Sequence, residues 1–280
     1  MGAYKTEPVL KDYLWGGHKL EKMFGRDNGG KKVSESWEIS VHKDGESTCG
    51  GEKLSSIIAR TENFIDKRNS PLPVLIKYID AAQNLSVQVH PDDAYARERE
   101  GDNGKTEMWY ILSAEEGAGI YCGFSRNITR EEFRMKVREG TVEACLNFIP
   151  VRAGDCYLIE AGTVHAIGAG CELHVEKALD VIDFRPFADR TGSTAFGNVA
   201  GGRMRLLTRC PYFTCRELIL DGTFSAKDEN SFTAVNVLEG RGTISGTAFR
   251  AGDSFIVPCG DTLSLQGKAK MILTNQAEEI

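Results

Sequence analysis

In the segment Leu85-Ser86-Val87-Gln88-Val89-His90, every even-numbered residue is polar and every odd-numbered one apolar. A strand sends alternate side chains to opposite faces, so Ser86, Gln88 and His90 share one face. The same period in Lys105-Thr106-Glu107-Met108-Trp109 groups Lys105, Glu107 and Trp109. His165 follows the turn at Gly162 and opens another strand. Gln88, His90, Glu107 and His165 offer two nitrogens and two oxygens, a donor set suited to Zn²⁺ or another divalent transition metal. A solvent-facing strand would account for the first segment alone. Four such residues from three separate short strands converge only inside a barrel. The expectation is therefore one divalent ion per chain.

Those strands need a frame. Residues 74–80, 85–90 and 107–112 are rich in Val, Ile, Tyr and Trp and read as strands. Residues 53–60 carry apolar side chains at helical spacing. Thr129 with Glu132 makes a capping box ahead of Phe133 and Val137, Gly140 stops that helix, and residues 141–146 restart a short one. Strands resume at Cys156. An internal repeat then organises the rest: Arg152-Ala153-Gly154-Asp155-Cys156-Tyr157-Leu158-Ile159-Glu160-Ala161-Gly162 lines up with Arg250-Ala251-Gly252-Asp253-Ser254-Phe255-Ile256-Val257-Pro258-Cys259-Gly260. Each copy is a Gly-Asp turn, a short apolar strand and a second Gly turn. Val235-Asn236-Val237-Leu238 likewise echoes Trp109-Tyr110-Ile111-Leu112. The pattern resembles the cupin barrel, a double-sheet antiparallel fold, occurring twice. The expected class is mainly β: a cupin/jelly-roll barrel with helical insertions, plus a second, smaller cupin-like β-barrel. The second copy has Leu263 where the first has His165, so it is expected to be structural. The boundary is expected within residues 191–205, giving a metal-binding domain over 1–195 and a carboxy-terminal one over 205–280.

Composition excludes several classes. The chain has 280 residues, 41% hydrophobic and 26% charged, the balance of an ordinary soluble globular protein. Thirty glycines against eight prolines favour short strands and tight turns. A net charge of −6 argues against nucleic acid or an anionic membrane as partner. The amino terminus has no apolar signal region, and no apolar stretch approaches the ~20 residues that span a bilayer. Eight cysteines are scattered without a C-x-x-C pair, which reads as reduced, buried thiols in a cytoplasmic protein.

Several blocks carry a more specific likeness. Tyr13-Leu14-Trp15-Gly16-Gly17, Ser34-Glu35-Ser36-Trp37-Glu38-Ile39-Ser40-Val41-His42 and Pro73-Val74-Leu75-Ile76-Lys77 come in order. They are followed by Gln88-Val89-His90-Pro91-Asp92-Asp93, Gly104-Lys105-Thr106-Glu107-Met108-Trp109-Tyr110 and Ala161-Gly162-Thr163-Val164-His165-Ala166. In these blocks the chain resembles the type I phosphomannose isomerases, in their short bacterial form. The resemblance implies that His90, Glu107 and His165 hold zinc, with Gln88 a fourth or weaker ligand. It implies that Lys105 lies at the substrate, that Arg185 is the catalytic arginine, and that Ser86 and Lys77 lie at the phosphate end of the pocket. It further implies a zinc-dependent interconversion of mannose 6-phosphate and fructose 6-phosphate through an enediol(ate). The partner is then a small sugar phosphate, and the enzyme a monomer or weak homodimer.

That chemistry suits the residue types. A divalent ion is a Lewis acid for carbonyl and hydroxyl oxygens, and Arg185 is a permanently charged donor for a developing oxyanion. Lys105 can shuttle a proton or bind phosphate as a point charge. The likeness breaks at Val175-Glu176-Lys177-Ala178-Leu179-Asp180-Val181-Ile182-Asp183-Phe184-Arg185. There the family's Gln pair and Ser are missing, and Glu176, assigned a catalytic role, is one residue nearer the arginine. On a strand that slip turns a side chain to the other face unless a bulge absorbs it, and Glu172 or Asp183 is then the alternative acid. Glu160 replaces a proline and is expected to be a surface change without function. His18, His42 and His174 are expected to be exposed or structural, and residues 97–102 a solvated loop or helix end. The alternative reading is a non-catalytic or altered-specificity carbohydrate-binding metal cupin.

Overall fold

The structure is a computed structural model that describes residues 2–65, 72–168 and 175–277. Strand outweighs helix, 43% to 15%, which establishes the mainly β class. By contacts the chain divides into two compact units, Met1–Asp80 with Gly192–Ile280, and Ala81–Thr191. The sequence-based division into 1–195 and 205–280 does not anticipate the first of these, which joins the two ends of the chain.

The reason lies in strand pairing. In the first unit, Tyr4–Thr6, Ser254–Val257, Thr233–Ile244, Thr262–Gln276, Phe213–Lys227, Gly202–Arg209 and Gly197–Val199 lie side by side in that order, with Thr247–Arg250 paired to Thr233–Ile244. Tyr4–Thr6 thus adds antiparallel to Ser254–Val257, with Lys5 opposite Phe255. Alternating apolar residues of the long strands bury one face, where Leu218, Val235, Val237, Phe255, Leu265 and Met271 form a core. A second cluster packs Ile39, Leu54 and Ile57 from the amino-terminal part against Phe232, Ala234 and Ile256. Leu54 and Ile57 belong to the helix Leu54–Arg60, where helical spacing predicted one.

A buried polar network also ties these parts together. The Glu38 side chain is fully buried and receives Arg26 Nη2 at 2.7 Å, Ser36 Oγ at 2.6 Å and Ser254 Oγ at 2.9 Å. Burial pushes the Glu38 carboxyl up, against the pull of Arg26 and the hydroxyl donors.

The repeat is a structural repeat, bond for bond. Asp155 Oδ2 accepts from Arg152 N at 2.7 Å, and Asp253 Oδ2 from Arg250 N at 2.9 Å. Gly154 and Gly252 sit at φ of 91° and 89°, a region open to glycine. Gly154 N then donates to Ile111 O, and Gly252 N to Val237 O, both at 2.8 Å. Trp109 pairs with Tyr157 as Val235 pairs with Phe255.

In the second unit, Leu146–Pro150, Gly119–Phe124 and His165–Ile167 form one sheet, and Cys156–Ile159 pairs with Glu107–Tyr110. The helix Arg130–Arg138 starts where the capping box predicts, with Thr129 Oγ1 accepting from Glu132 N at 3.1 Å. The reciprocal half of the box is unmade because Arg126 takes the Glu132 carboxylate. Residues 142–145 form a short 3₁₀ turn. Phe133, fully buried, meets Phe124 edge-on at 5.6 Å between centroids. Residues 96–100 make a helical turn, buried at Ala96 and exposed over residues 97–100, as the charge run suggests.

Two expectations change. Residues 85–90 are extended but form no regular ladder. They attach to His165–Ile167 through a single antiparallel bridge, Gln88 to His165, and through Leu85 N to Ile167 O at 2.8 Å. The predicted alternation survives, since Leu85 and Val87 are buried while Ser86, Gln88 and His90 are half-buried. Residues 175–181 are the helix Val175–Val181 instead of a strand. Ala178, Leu179 and Ile182, spaced for one helical face, are buried in the core with Phe124 and Phe133. Arguments from strand parity therefore do not apply to Glu176. Glu172 and His174 lie outside the described residues.

Candidate functional site

His165 opens the strand His165–Ile167, and its side chain is 2% exposed. Its Nδ1 lies 2.8 Å from Thr163 O. A carbonyl only accepts, so Nδ1 carries the proton and Nε2 the lone pair. That Nε2 is buried and has no hydrogen-bond partner. Burial lowers the basicity of the ring, against the pull of Glu107, which keeps it neutral.

Glu107 opens the strand Glu107–Tyr110 and turns its carboxylate to both histidines. Oε2 is 3.5 Å from His165 Nε2, and Oε1 is 3.7 Å from His90 Nε2. The two imidazole rings stand 4.9 Å apart between centroids. Burial pushes the Glu107 carboxyl up, but Lys105, His165 and His90 outweigh it and hold the group at about 2. The site thus presents an ionised carboxylate and a neutral imidazole, the states a metal requires of its ligands. Two ligands about 2.0–2.1 Å from a tetrahedral ion lie about 3.4 Å apart, close to the two separations here. An unpartnered buried acceptor nitrogen facing a carboxylate fits a divalent ion. These three side chains, with ligand atoms all within 4.8 Å, form the one such group of His, Cys, Asp or Glu found among the described residues.

Around them stand Gln88, Lys105 and Ser86. Gln88 and His165 exchange both backbone hydrogen bonds at 2.8 Å, a pairing that puts their side chains on one face. Lys105 Nζ pairs with Glu107 Oε1 and lies 3.2 Å from His90 Nε2. Ser86 shares the Gln88 face by alternation. Trp109 donates its indole N–H to Glu107 Oε2 at 3.2 Å and meets the His165 ring edge-on at 5.5 Å. The alternation of Lys105, Glu107 and Trp109 already signalled that third contact.

Arg185 and Lys77 are engaged by other carboxylates. The Arg185 side chain is 73% exposed and bound to its neighbour Asp183: its backbone N, Nε and Nη2 donate to that carboxylate at 3.0, 2.9 and 2.6 Å. This hydrogen bonding holds the Asp183 carboxyl below the ordinary range. Lys77 belongs to the first unit, where Nζ is 3.0 Å from Glu35 Oε1 and Trp37 Nε1 donates to Glu35 Oε2 at 2.7 Å. Glu176 lies in the helix Val175–Val181, and its side chain is outside the described atoms. Glu160, read as a functionless change, ion-pairs with Arg190 at 3.2 Å.

The structural repeat tests how specific the site is. Gly162 N donates to His90 O at 2.8 Å, and Gly260 N to Asp228 O at 2.7 Å. Gln88 pairs with His165 as Ala226 pairs with Leu263, and Glu107 with Ile159 as Thr233 pairs with Val257. Gln88, His90, Glu107 and His165 therefore correspond to Ala226, Asp228, Thr233 and Leu263. Leu263 is 2% exposed in the apolar core, and Asp228 caps the backbone N–H groups of Asn230 and Ser231. The donor set exists in one copy of the repeat only.

The sequence model of the type I phosphomannose isomerase catalytic domain matches residues 3–125, and that of the mannose-6-phosphate isomerase cupin domain matches residues 204–276. The mannose-6-phosphate isomerase of Streptococcus mutans is 34% identical over 88% of this chain and 89% of its own. The crystal structure of the Bacillus subtilis mannose 6-phosphate isomerase superposes with a TM-score of 0.88 at 27% identity, covering 98% of this chain and 99% of that one. A mannose 6-phosphate isomerase solved bound with zinc and yttrium shares the fold, with a TM-score of 0.77 at 15% identity over 99% of this chain and 100% of that one. The chain is built on the cupin fold and belongs to the type I phosphomannose isomerases, a family of aldose–ketose isomerases.

Proposed function

We propose that this enzyme interconverts mannose 6-phosphate and fructose 6-phosphate through an enediolate, with one zinc ion held by His90, Glu107 and His165 and by Gln88 as a weaker fourth ligand. The observation that carries the zinc assignment is the buried, unpartnered Nε2 of His165 facing the Glu107 carboxylate at 3.5 Å. A zinc-bound structure within the same fold supports the choice of metal.

When bound, the ion supplies a Lewis acid for the oxygens on C1 and C2 of the sugar. The protein supplies the rest. A base removes the proton from C2 of the aldose and returns it to C1, while a second proton passes from the C2 hydroxyl to the C1 oxygen, which exchanges the carbonyl and hydroxyl positions. Lys105 is the first candidate for this shuttle, a reading supported by the contacts of its Nζ with His90 and Glu107. Arg185 donates to the oxyanion of the enediolate after releasing Asp183. Glu176 is the second candidate acid–base group, and Ser86 binds the phosphate.

The direct test is to incubate the pure protein with mannose 6-phosphate and measure fructose 6-phosphate, with metal content determined on the same sample. Turnover that disappears on chelation and returns with zinc is the expected result. Stoichiometric metal without turnover would replace this reading with a non-catalytic carbohydrate-binding cupin.

A further inference from the structure

The Glu107 carboxylate is held by two donors of different kinds. Lys105 takes Oε1 from a side chain that is 41% exposed. Trp109 takes Oε2 through its indole N–H at 3.2 Å. The indole is the stiffer of the two, with two side-chain torsions and a ring packed against Ile120, Cys122 and Ile159. Its edge also rests on the His165 ring, the planes at 87°.

We propose that Trp109 is a positioning residue for the metal centre, its indole N–H fixing the carboxylate of Glu107 in the orientation that faces both histidines. The proposal rests on the reading that His90, Glu107 and His165 hold a divalent ion. A donor on one carboxylate oxygen restricts rotation about the last side-chain bond, which is otherwise soft. The carboxylate then meets the ion without first losing that freedom. The repeat supplies an independent argument. At the position of Glu107 the other copy has Thr233, and at the position of Trp109 it has Val235, fully buried. The ring with a donor stands only where there is a carboxylate to hold. Aliphatic packing fills the same place where there is none.

The test is zinc affinity, measured by competition with a chromophoric chelator, in the unaltered protein and in Trp109→Phe. Phenylalanine keeps an aromatic ring on His165 and removes the N–H. About tenfold weaker zinc binding is expected, the usual scale for losing a hydrogen bond to a ligand. The visible absorption of the cobalt-substituted protein should change as well, since it reports how the carboxylate meets the metal. A packing role would weaken zinc equally in a Glu107→Gln background, whereas a role through Glu107 would vanish there. Zinc affinity in Trp109→Phe within about twofold of the unaltered protein overturns the proposal. So does a loss that persists undiminished with Glu107→Gln. If the unaltered protein binds no zinc, the metal reading falls, and the Trp109 role with it. Should Trp109→Phe fail to fold, benzothienylalanine at position 109 keeps the bicyclic shape without the N–H and takes its place in both comparisons.

Discussion

Gly162 donates its backbone N–H to the carbonyl of His90 at 2.8 Å and accepts from Asp183 N at the same distance. One residue thereby anchors both a ligand-bearing segment and the loop that carries Arg185. The residue sits at φ 85°, and a Cβ there would stand 2.9 Å from Val181 O. Gly162→Ala is expected to cost about 1–3 kcal/mol of stability and to weaken metal binding together with it. Gly140→Ala is the control. It has φ 67° but open space around it, so it should lose stability in denaturant melts while keeping its metal affinity.

His165→Leu installs the side chain that the repeat places at position 263. In chelator-treated protein this substitution removes a buried nitrogen without a partner. It also forfeits the Nδ1 bond to Thr163 O. The balance should make the metal-free protein about 1 kcal/mol more stable in urea, while stabilisation by added zinc disappears. A variant that is less stable without metal and still gains from zinc would show that Nε2 has another role.

The Glu107 carboxyl, held at about 2, gives a pH signature in metal-free protein. A carboxyl lowered on folding contributes stability that is fully present above its unfolded value near 4.5 and is lost as pH falls toward 2. The contribution is about 3 kcal/mol. Subtracting the stability of Glu107→Gln from that of the unaltered protein, pH by pH, should give a difference that shrinks as pH falls through this window.

Arg185→Ala should keep its zinc and lose turnover by about 10²–10³-fold, as expected when one donor to an oxyanion is removed. Metal analysis beside the isomerase assay checks both halves. Arg185→Lys should restore little, since an ammonium does not reproduce the two-pronged guanidinium. Full activity in Arg185→Ala would end the assignment.

Much of this was legible because it is local. The Gly-Asp turns of the repeat announce themselves through glycines at positive φ and aspartates that accept from the residue three back. The register they set carries Trp109 onto Val235 and His165 onto Leu263 without error. Parity in residues 85–90 predicted the two faces even though the segment forms no ladder. Residues 175–181 were misread because the register of related sequences suggested a strand. The spacing of Ala178, Leu179 and Ile182 was already helical. The grip of Asp183 on Arg185 involves two adjacent exposed charges, which composition does not distinguish from free ones. The joining of the chain ends was invisible, because Tyr4–Thr6 meets its partner some 250 residues away with no nearby signal.

That long-range pairing constrains the order in which the molecule can be made. Thr6 Oγ1 bonds Ser254 O across 248 positions, so a nascent chain carries the strand Tyr4–Thr6 unpaired until residue 254 has left the ribosome. The 81–191 unit is synthesised complete long before then, whereas the first unit must wait for its other half. Contacts so distant in sequence slow folding and leave apolar strand edges open in the meantime. A chain stopped before residue 254 should therefore leave its amino-terminal eighty residues sensitive to protease while the 81–191 segment resists.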